Sequence, residues 1–378
     1  MWTVYLRDPN RKRQALIDDY AQLEAIARFN SVGTWQITMD MRKSYARDMI
    51  AAPQWGIELV HDSTGTTVMS GRAVKANRRR SDTENTVTVY GVDDMTWLAR
   101  RVAHPQPGTG APPYSSQAYD VRTGTCSTIL RQYVDVNAGP GAITQRRVPG
   151  LTLDTDPVTG ASVTGRARWQ DPLLALLQEL ALAGGGLGFR VRKSGANLLF
   201  QVYQPTDRSG SVQWSEELGN LYEFSYELVE ADVNYVYAGG GGEGTARTIR
   251  EGQRPDGMVE WGRIERFVDR RDTTDTTELD QAISERLQEG REATIVSVTP
   301  IDTDGQTYLT HYDLGDKVTV LYDDFSLVDI VREVKIELTQ HKTRVSPTVG
   351  TPGARAQEIG SIGRIRRLET RVNDLERR

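Results

Sequence analysis

Few residues in this chain have the type and spacing that chemistry needs. Four histidines, His61, His104, His311 and His341, are scattered along 378 residues. None falls in an H-E-x-x-H or similar spacing that would join a zinc site to a general base, so they read as surface or strand histidines. Asp62-Ser63-Thr64-Gly65 comes close to the Asp-Ser/Thr-Gly of an aspartic protease. An extra residue breaks that register, and a hairpin turn accounts for all four residues. In AGGGGEGTAR, Gly239 and Gly244 have the separation of a phosphate loop, but Thr245 stands where the lysine should be. Without that cation the loop has nothing to hold a phosphate with. LAGGGLGF follows a helical pattern, so its glycines close a helix and do not cradle a dinucleotide. The acidic pairs Asp154/Asp156, Asp302/Asp304 and Asp323/Asp324 read as turns, since DTDPVTG puts Pro and Val where a calcium loop needs ligands and glycine. No paired carboxylates or Cys/His pair can be placed for hydrolysis. The expectation is a protein with no catalytic residue, no metal and no cofactor: not an enzyme.

The specific signal is at the end, in GRIRRLETRVNDLERR. Two heptads repeat one grammar: Arg, apolar, two polar, apolar, Glu. Ile365 and Val372 take position a, and Leu368 and Leu375 take position d. Arg364 and Arg371 fall at g, Glu369 and Glu376 at e. In a parallel coil each g arginine can meet the e glutamate of the next heptad on a neighbour, whereas an antiparallel coil loses that match. The β-branched a with Leu d favours two strands. The Arg-apolar-x-x-apolar-Glu grammar also resembles a trimerisation signature of short coiled coils, and three strands are the preferred reading. Two heptads are marginal alone in water, so the globular part must hold most of the interface.

Stepping outward, the first third alternates as β-strands do. Trp35, Ile37 and Met39 share one face, as do Val87 and Val89. WGIELVHDSTGTTVMSGRAVKANRRR reads as strands about a turn, with Arg78-Arg79-Arg80 beside a loop that is solvated or salt-bridged to a neighbouring subunit. DDYAQLEAIARFN reads as a helical or turn interruption. AHPQPGTGAPPYSSQAYD is a junction near residue 110. DVRTGTCSTILRQYVDVNAG reads as a helix ending at Gly139. RWQDPLLALLQELALAGG reads as a second, with Asp171 capping, Pro172 in the first turn and Gly184 closing it. GFRVRK and NLLFQVYQ pair across Ser194–Asn197. Leu279, Ile283 and Leu287 lie four apart on one helix face and are assigned to internal core. DKVTVLYDDFSLVDIVREVKIELTQ repeats the style of the first-third segment: strand, acidic turn, strand, kink, strand.

The fold class expected is mainly β with α+β parts. Two small tube-type β-barrels would flank a mixed α/β domain, and a short parallel coiled coil would follow. The boundaries are 1–110 for the first barrel, 111–215 for the middle domain, 216–345 for the second barrel with an inserted loop and helix at about 239–291, and 346–378 for the linker and trimeric helix. A net charge of −5 argues against general affinity for nucleic acid but suits a channel that must not hold it. Cys126 is the sole cysteine, compatible with assembly in a reducing cytoplasm. The first twenty residues lack the apolar core of a signal peptide, and no apolar run is long enough to span a membrane, so no membrane insertion is expected.

Four segments carry a family resemblance: PLLALLQELALAGGGLGFRV, NYVYAGGGGEGTARTIREG, EWGRIERFVDRRDTTDTTELDQAISERLQE and YDLGDKVTVLYDD. With the flanking β regions and terminal heptads, they resemble the minor tail proteins that form the baseplate hub of long-tailed, siphovirus-type phages, as in phages of actinobacteria. The resemblance covers most of residues 170–325; before that it is one of style. It implies a homotrimer whose six barrels ring the tail axis. It also implies contacts with the distal tail protein ring, the tape measure protein and a downstream spike or fibre, and transient passage of phage DNA. The location implied is the virion tail tip, assembled in the host cytoplasm. A receptor- or carbohydrate-binding minor tail protein is the alternative, and a peptidoglycan hydrolase a more distant one.

Overall fold

The structure, a computed structural model, describes residues 1–350 apart from 52–53, 113, 170 and 301–305. The chain begins with β1 (Trp2–Arg7), β2 (Arg13–Leu16), β3 (Tyr20–Arg28), β4 (Thr34–Asp40), α1 (Ser44–Ala51), β5 (Gly56–His61), β6 (Thr66–Arg80), β7 (Asn85–Asp93) and the single turn α2 (Thr96–Ala99). The middle contains β8 (Asp120–Thr125), α3 (Cys126–Ala138), β9 (Leu151–Leu153), β10 (Ser162–Ala167), α4 (Leu173–Ala183), β11 (Gly188–Ser194), β12 (Asn197–Tyr203) and β13 (Gln213–Ser215). Then come β14 (Leu221–Val229), β15 (Tyr235–Gly239), β16 (Ile249–Gln253), α5 (Pro255–Trp261), β17 (Glu265–Asp269) and α6 (Thr276–Glu289). The described part ends with β18 (Ala293–Pro300), β19 (Lys317–Tyr322), β20 (Phe325–Thr339) and β21 (Thr343–Val349). The fold is mainly β with some helices, as expected. The heptads and their linker lie outside the described residues.

Two compact units divide the chain. The first comprises Met1–Phe224 and Val298–Val349; the second, in its described part, is Ser225–Ser297 and Gly350. The large sheet has the strand order β14-β18-β21-β20-β3-β4-β7-β6-β5-β1-β2, with β19 also beside β20 and β13 beside β19. Its path is open, with β14 at one end and β2 at the other. The chain leaves the first unit along β14 and returns along β18.

Two separate barrels do not appear among the described strands. The two β regions form one ladder instead, joined where β3 pairs antiparallel with β20, from Arg28 opposite Glu333 to Gln22 opposite Thr339. Strand length explains the join. β20 has fifteen residues and β19 only six, so β19 pairs with Phe325–Ile330 and leaves an edge on the second half of β20. β3 fills that edge. Its assignment as a helical or turn interruption fails because Leu23, Ala25 and Ala27 are all buried, at the spacing of two that a strand face requires.

The strand order contains a repeat. Five strands taken along the chain as β3, β4, β5, β6, β7 lie in the sheet as β3-β4-β7-β6-β5. Five more, β14, β18, β19, β20, β21, lie as β14-β18-β21-β20-β19. The matching members β3 and β14 both have nine residues, β5 and β19 six, and β6 and β20 fifteen. Each long strand has a register break in its ladder with the following strand, between Ala73 and Lys75 in one and Val331 and Glu333 in the other. β1 lies beside β5 as β13 lies beside β19, but antiparallel in the first case and parallel in the second. The echo between the two segments is therefore a repeat of topology. In the first copy a short turn joins β3 to β4, whereas in the second the segment from β15 to α6 is inserted between β14 and β18.

The mixed part of the first unit packs α3 and α4 with the sheets β8-β10 and β9-β12-β11. Leu173, Leu174, Leu176, Leu177, Leu180 and Ala181 of α4 are all buried, with Ile129, Leu130, Tyr133 and Val134 of α3 in the same cluster. Each such leucine contributes roughly 1.5–3 kcal/mol by leaving water. Two boundaries differ from expectation. Residues 120–125 are strand β8, not helix, because they pair with β10 across six residues. Asp171 does not cap α4: Pro172 occupies that position without a side-chain bond, and Asp171 accepts instead from Arg168 Nε at 2.8 Å.

In the second unit β15 pairs antiparallel with β16 and parallel with β17. Asp275 caps the start of α6, its carboxylate accepting from Thr277 N–H. Its Leu279, Ile283 and Leu287 are buried with Val233, Val236 and Ala238. That helix face is internal core, as assigned.

Candidate functional site

Several of the residues with catalytic potential make local contacts. His61 Nδ1 lies 3.0 Å from Thr64 Oγ1 and its ring 4.7 Å from that of Trp2. His104 Nδ1 accepts from Gln106 N–H, and its ring meets Trp169 edge-on. His311 Nδ1 accepts from Thr307 N–H. Burial lowers the affinity of His61 and His104 for a proton. Asp62–Gly65 is the β5–β6 turn, with Gly65 at φ +64. Asp156 accepts from Ser127 and Thr128 at the start of α3. Asp302 and Asp304 lie outside the described residues. Among the described residues no group of three His, Cys, Asp or Glu could hold a metal ion.

The glycine loop after β15 holds an arginine of its own chain. Arg247 donates from Nε to Gly240 O and from a guanidinium N–H to Gly239 O, and it pairs with Asp269. A Cβ on Gly239 would come within 2.5 Å of Phe267 and 2.7 Å of Arg247. Gly239 is there for close packing, Gly242 and Gly244 for positive φ, and a cation already fills the hollow.

Buried charges in the first unit tie strands together. Glu58 on β5, only 1% exposed, accepts from Arg13, Lys193 and Thr67. Burial pushes its carboxyl up, but these three donors outweigh burial and hold it at about 2. Arg7 donates to Asp94 at 2.6 Å and to Ser70 at 2.5 Å, all three buried. Nearby, a cavity of about 60 Å³ is lined by Arg28, Asp93, Arg190, Lys193 and Asp313 among others. It is far below the roughly 300 Å³ at which small-molecule pockets begin. Burial pushes the Asp93 carboxyl up to about 8.

Two sheet edges have no strand beside them among the described residues. β6 pairs with β5 only over Thr66–Arg72, and with β7 over Gly71–Arg80. Among the described residues no strand covers the other edge of its second half, and Val74–Arg80 are all exposed. That half carries Lys75, Arg78, Arg79 and Arg80 and no acidic residue. The three arginines end β6, where they pair with Val87, Thr86 and Asn85 of β7. At the far end of the ladder, β14 carries Glu223 and Glu227 and no basic residue. Tyr222, Tyr226 and Leu228 are 73, 60 and 54% exposed. The arginine run was visible in sequence, but its partner edge was not, because edge and interior strands have the same alternation. The residues Arg364, Ile365, Leu368, Glu369, Arg371, Val372, Leu375 and Glu376 lie outside the described residues.

A family model described as Siphovirus ReqiPepy6 Gp37-like protein matches residues 3–351. No curated protein matches the sequence. Three solved structures share the fold at low identity. The prophage MuSo2 43 kDa tail protein from Shewanella oneidensis aligns with TM-score 0.59 at 12% identity, over 92% of this chain and 98% of that one. A tail protein from Neisseria meningitidis MC58 gives 0.57 at 11%, over 93% and 96%. Prophage tail protein gp18 from Listeria monocytogenes EGD-e gives 0.53 at 11%, over 93% and 95%.

Proposed function

The chain belongs to the Siphovirus ReqiPepy6 Gp37-like protein family, a phage tail family, and from that premise we propose that it is a structural hub of the tail tip. As a tail protein it is a component of the virion. The observation that carries the hub reading is the five-strand topology present twice in one chain. A chain with two equivalent modules, assembled in three copies, presents six modules around one axis. Each module serves as a tube-type barrel wall, matching a sixfold tube on one side. The parallel helices Arg364–Glu376 pass a threefold axis to a spike or fibre on the other. The partners are the distal tail protein ring, the tape measure protein and that spike or fibre, and phage DNA passes through the lumen. The role is architectural: no reaction is assigned to any residue.

The native mass of the full chain, beside a version ending at Thr351, tests this by light scattering. The expected result is a trimer for the full chain, weakened by the truncation. A dimer would sink the threefold reading.

A further inference from the structure

The repeat makes a prediction about how one copy meets the next. Within the chain, the first strand of one module (β3) pairs with the free half-edge of the long strand of the other (β20). An ion pair strengthens that seam, Arg28 Nε to Glu333 at 2.9 Å. The equivalent elements are both present a second time, and among the described residues no strand covers the free edge of either. β14 is the first strand of its module and ends the ladder; the second half of β6 is the free half-edge of the other module.

We propose that β14 of one copy pairs antiparallel with the Val74–Arg80 half of β6 in a second copy, reproducing between chains the β3·β20 seam found within one. This rests on the hub reading and names its interface. Three observations support it. The lengths match, since β14 equals β3 and β6 equals β20 in residue number. The charges oppose: Lys75, Arg78, Arg79 and Arg80 on one edge, Glu227 on the other, with Glu223 beside it already paired to Arg344 of its own chain. Carrying the β3·β20 register across sets Glu223 near Arg80 and Glu227 near the stretch between Lys75 and Arg78. The third is exposure. An edge that no described strand covers, with Tyr222 and Leu228 exposed, invites pairing with another chain. The contact is head-to-tail, so it closes into a ring only if the rotation per copy allows and otherwise grows as a filament.

Cysteine cross-linking tests the seam in the full chain. Cys126 is buried and gives little background. One preparation carries Leu228→Cys, the other Ala76→Cys; they are mixed, oxidised and run without reductant. Val259→Cys, at a 90% exposed position, replaces Leu228→Cys in the control. The expected result is a covalent pair from the first mixture and none from the control. Glu227→Lys should weaken association about tenfold, and Lys75→Glu with Arg78→Glu in the other copy should recover it. A trimer without the Leu228–Ala76 cross-link overturns the seam and leaves the hub standing. Cross-linked chains of unlimited length uphold the seam and overturn the closed hub. A chain that stays monomeric at every concentration and never cross-links overturns both.

Discussion

Glu58 shows how a single buried charge can hold several strands. Its three donors come from β2, β6 and β11, and Lys193 among them is itself buried. Glu58→Gln should cost about 3–5 kcal/mol, because Lys193 is left charged without a partner. Denaturant unfolding would measure it. The folded carboxyl sits at about 2, below its ordinary value, so its stabilisation is present above about pH 4.5 and is lost as pH falls through 2. The Gln variant should lack that acid-sensitive component. Asp93 has the opposite sign. Its folded value of about 8 lies above the ordinary one, so its protonated form favours folding fully below about pH 4, and the benefit drains away as pH rises to 8. Asp93→Asn should therefore match the parent near pH 4 and exceed it at pH 8, by on the order of 1 kcal/mol or more. Neither group was singled out in the sequence, where an isolated Glu in WGIELVH is simply one polar residue in a strand. What makes Glu58 unusual is distance in the chain: Lys193 is remote in sequence and adjacent only after folding.

At the scale of elements, cross-strand packing decides which substitutions matter. Trp35 on β4 faces Gly91 on β7, and a Cβ at Gly91 would come within 2.0 Å of the indole. Gly91→Ala should cost about 1–3 kcal/mol and shift Trp35 emission as the ring is displaced. In the second unit, Ile283 packs over Gly252 as well as the β15 core, and Ile283→Ala should lower stability by about 2–5 kcal/mol. The buried face of α6 was legible because three apolar residues recur at four-residue spacing. β3 was not, since Ala and Glu favour helix in isolation and the strand forms because β4 and β20 supply hydrogen-bond partners on both sides.

At the scale of the whole molecule, edges and charge govern assembly. If opposed edges carrying Lys75, Arg78–Arg80 and Glu223, Glu227 hold the copies together, association should weaken as salt rises, because the screening length falls from about 10 Å at 0.1 M to about 3 Å at 1 M. Sedimentation across that range would measure it, and salt-independent association would point to an apolar interface instead. Truncation at Thr351 tests the proposed terminal coil separately, so the two contributions can be told apart.

Composition and local pattern alone determined that this is a mainly β chain, where α4, α6 and the β11–β12 hairpin lie, that the glycine loop lacks a phosphate-binding lysine, and that β5–β6 and β19–β20 share one style. Those are properties of neighbours along the chain: side-chain period, turn residues and caps act within a few residues. Only folding in three dimensions set that the two β regions share one ladder through β3 and β20, and which two half-edges stay open among the described residues. Strand pairing is made by backbone hydrogen bonds, which every residue but proline can offer, so the sequence of a strand does not name its partner. Length and the position of the register break do, and they act only once the long strands β6 and β20 have outrun their short neighbours.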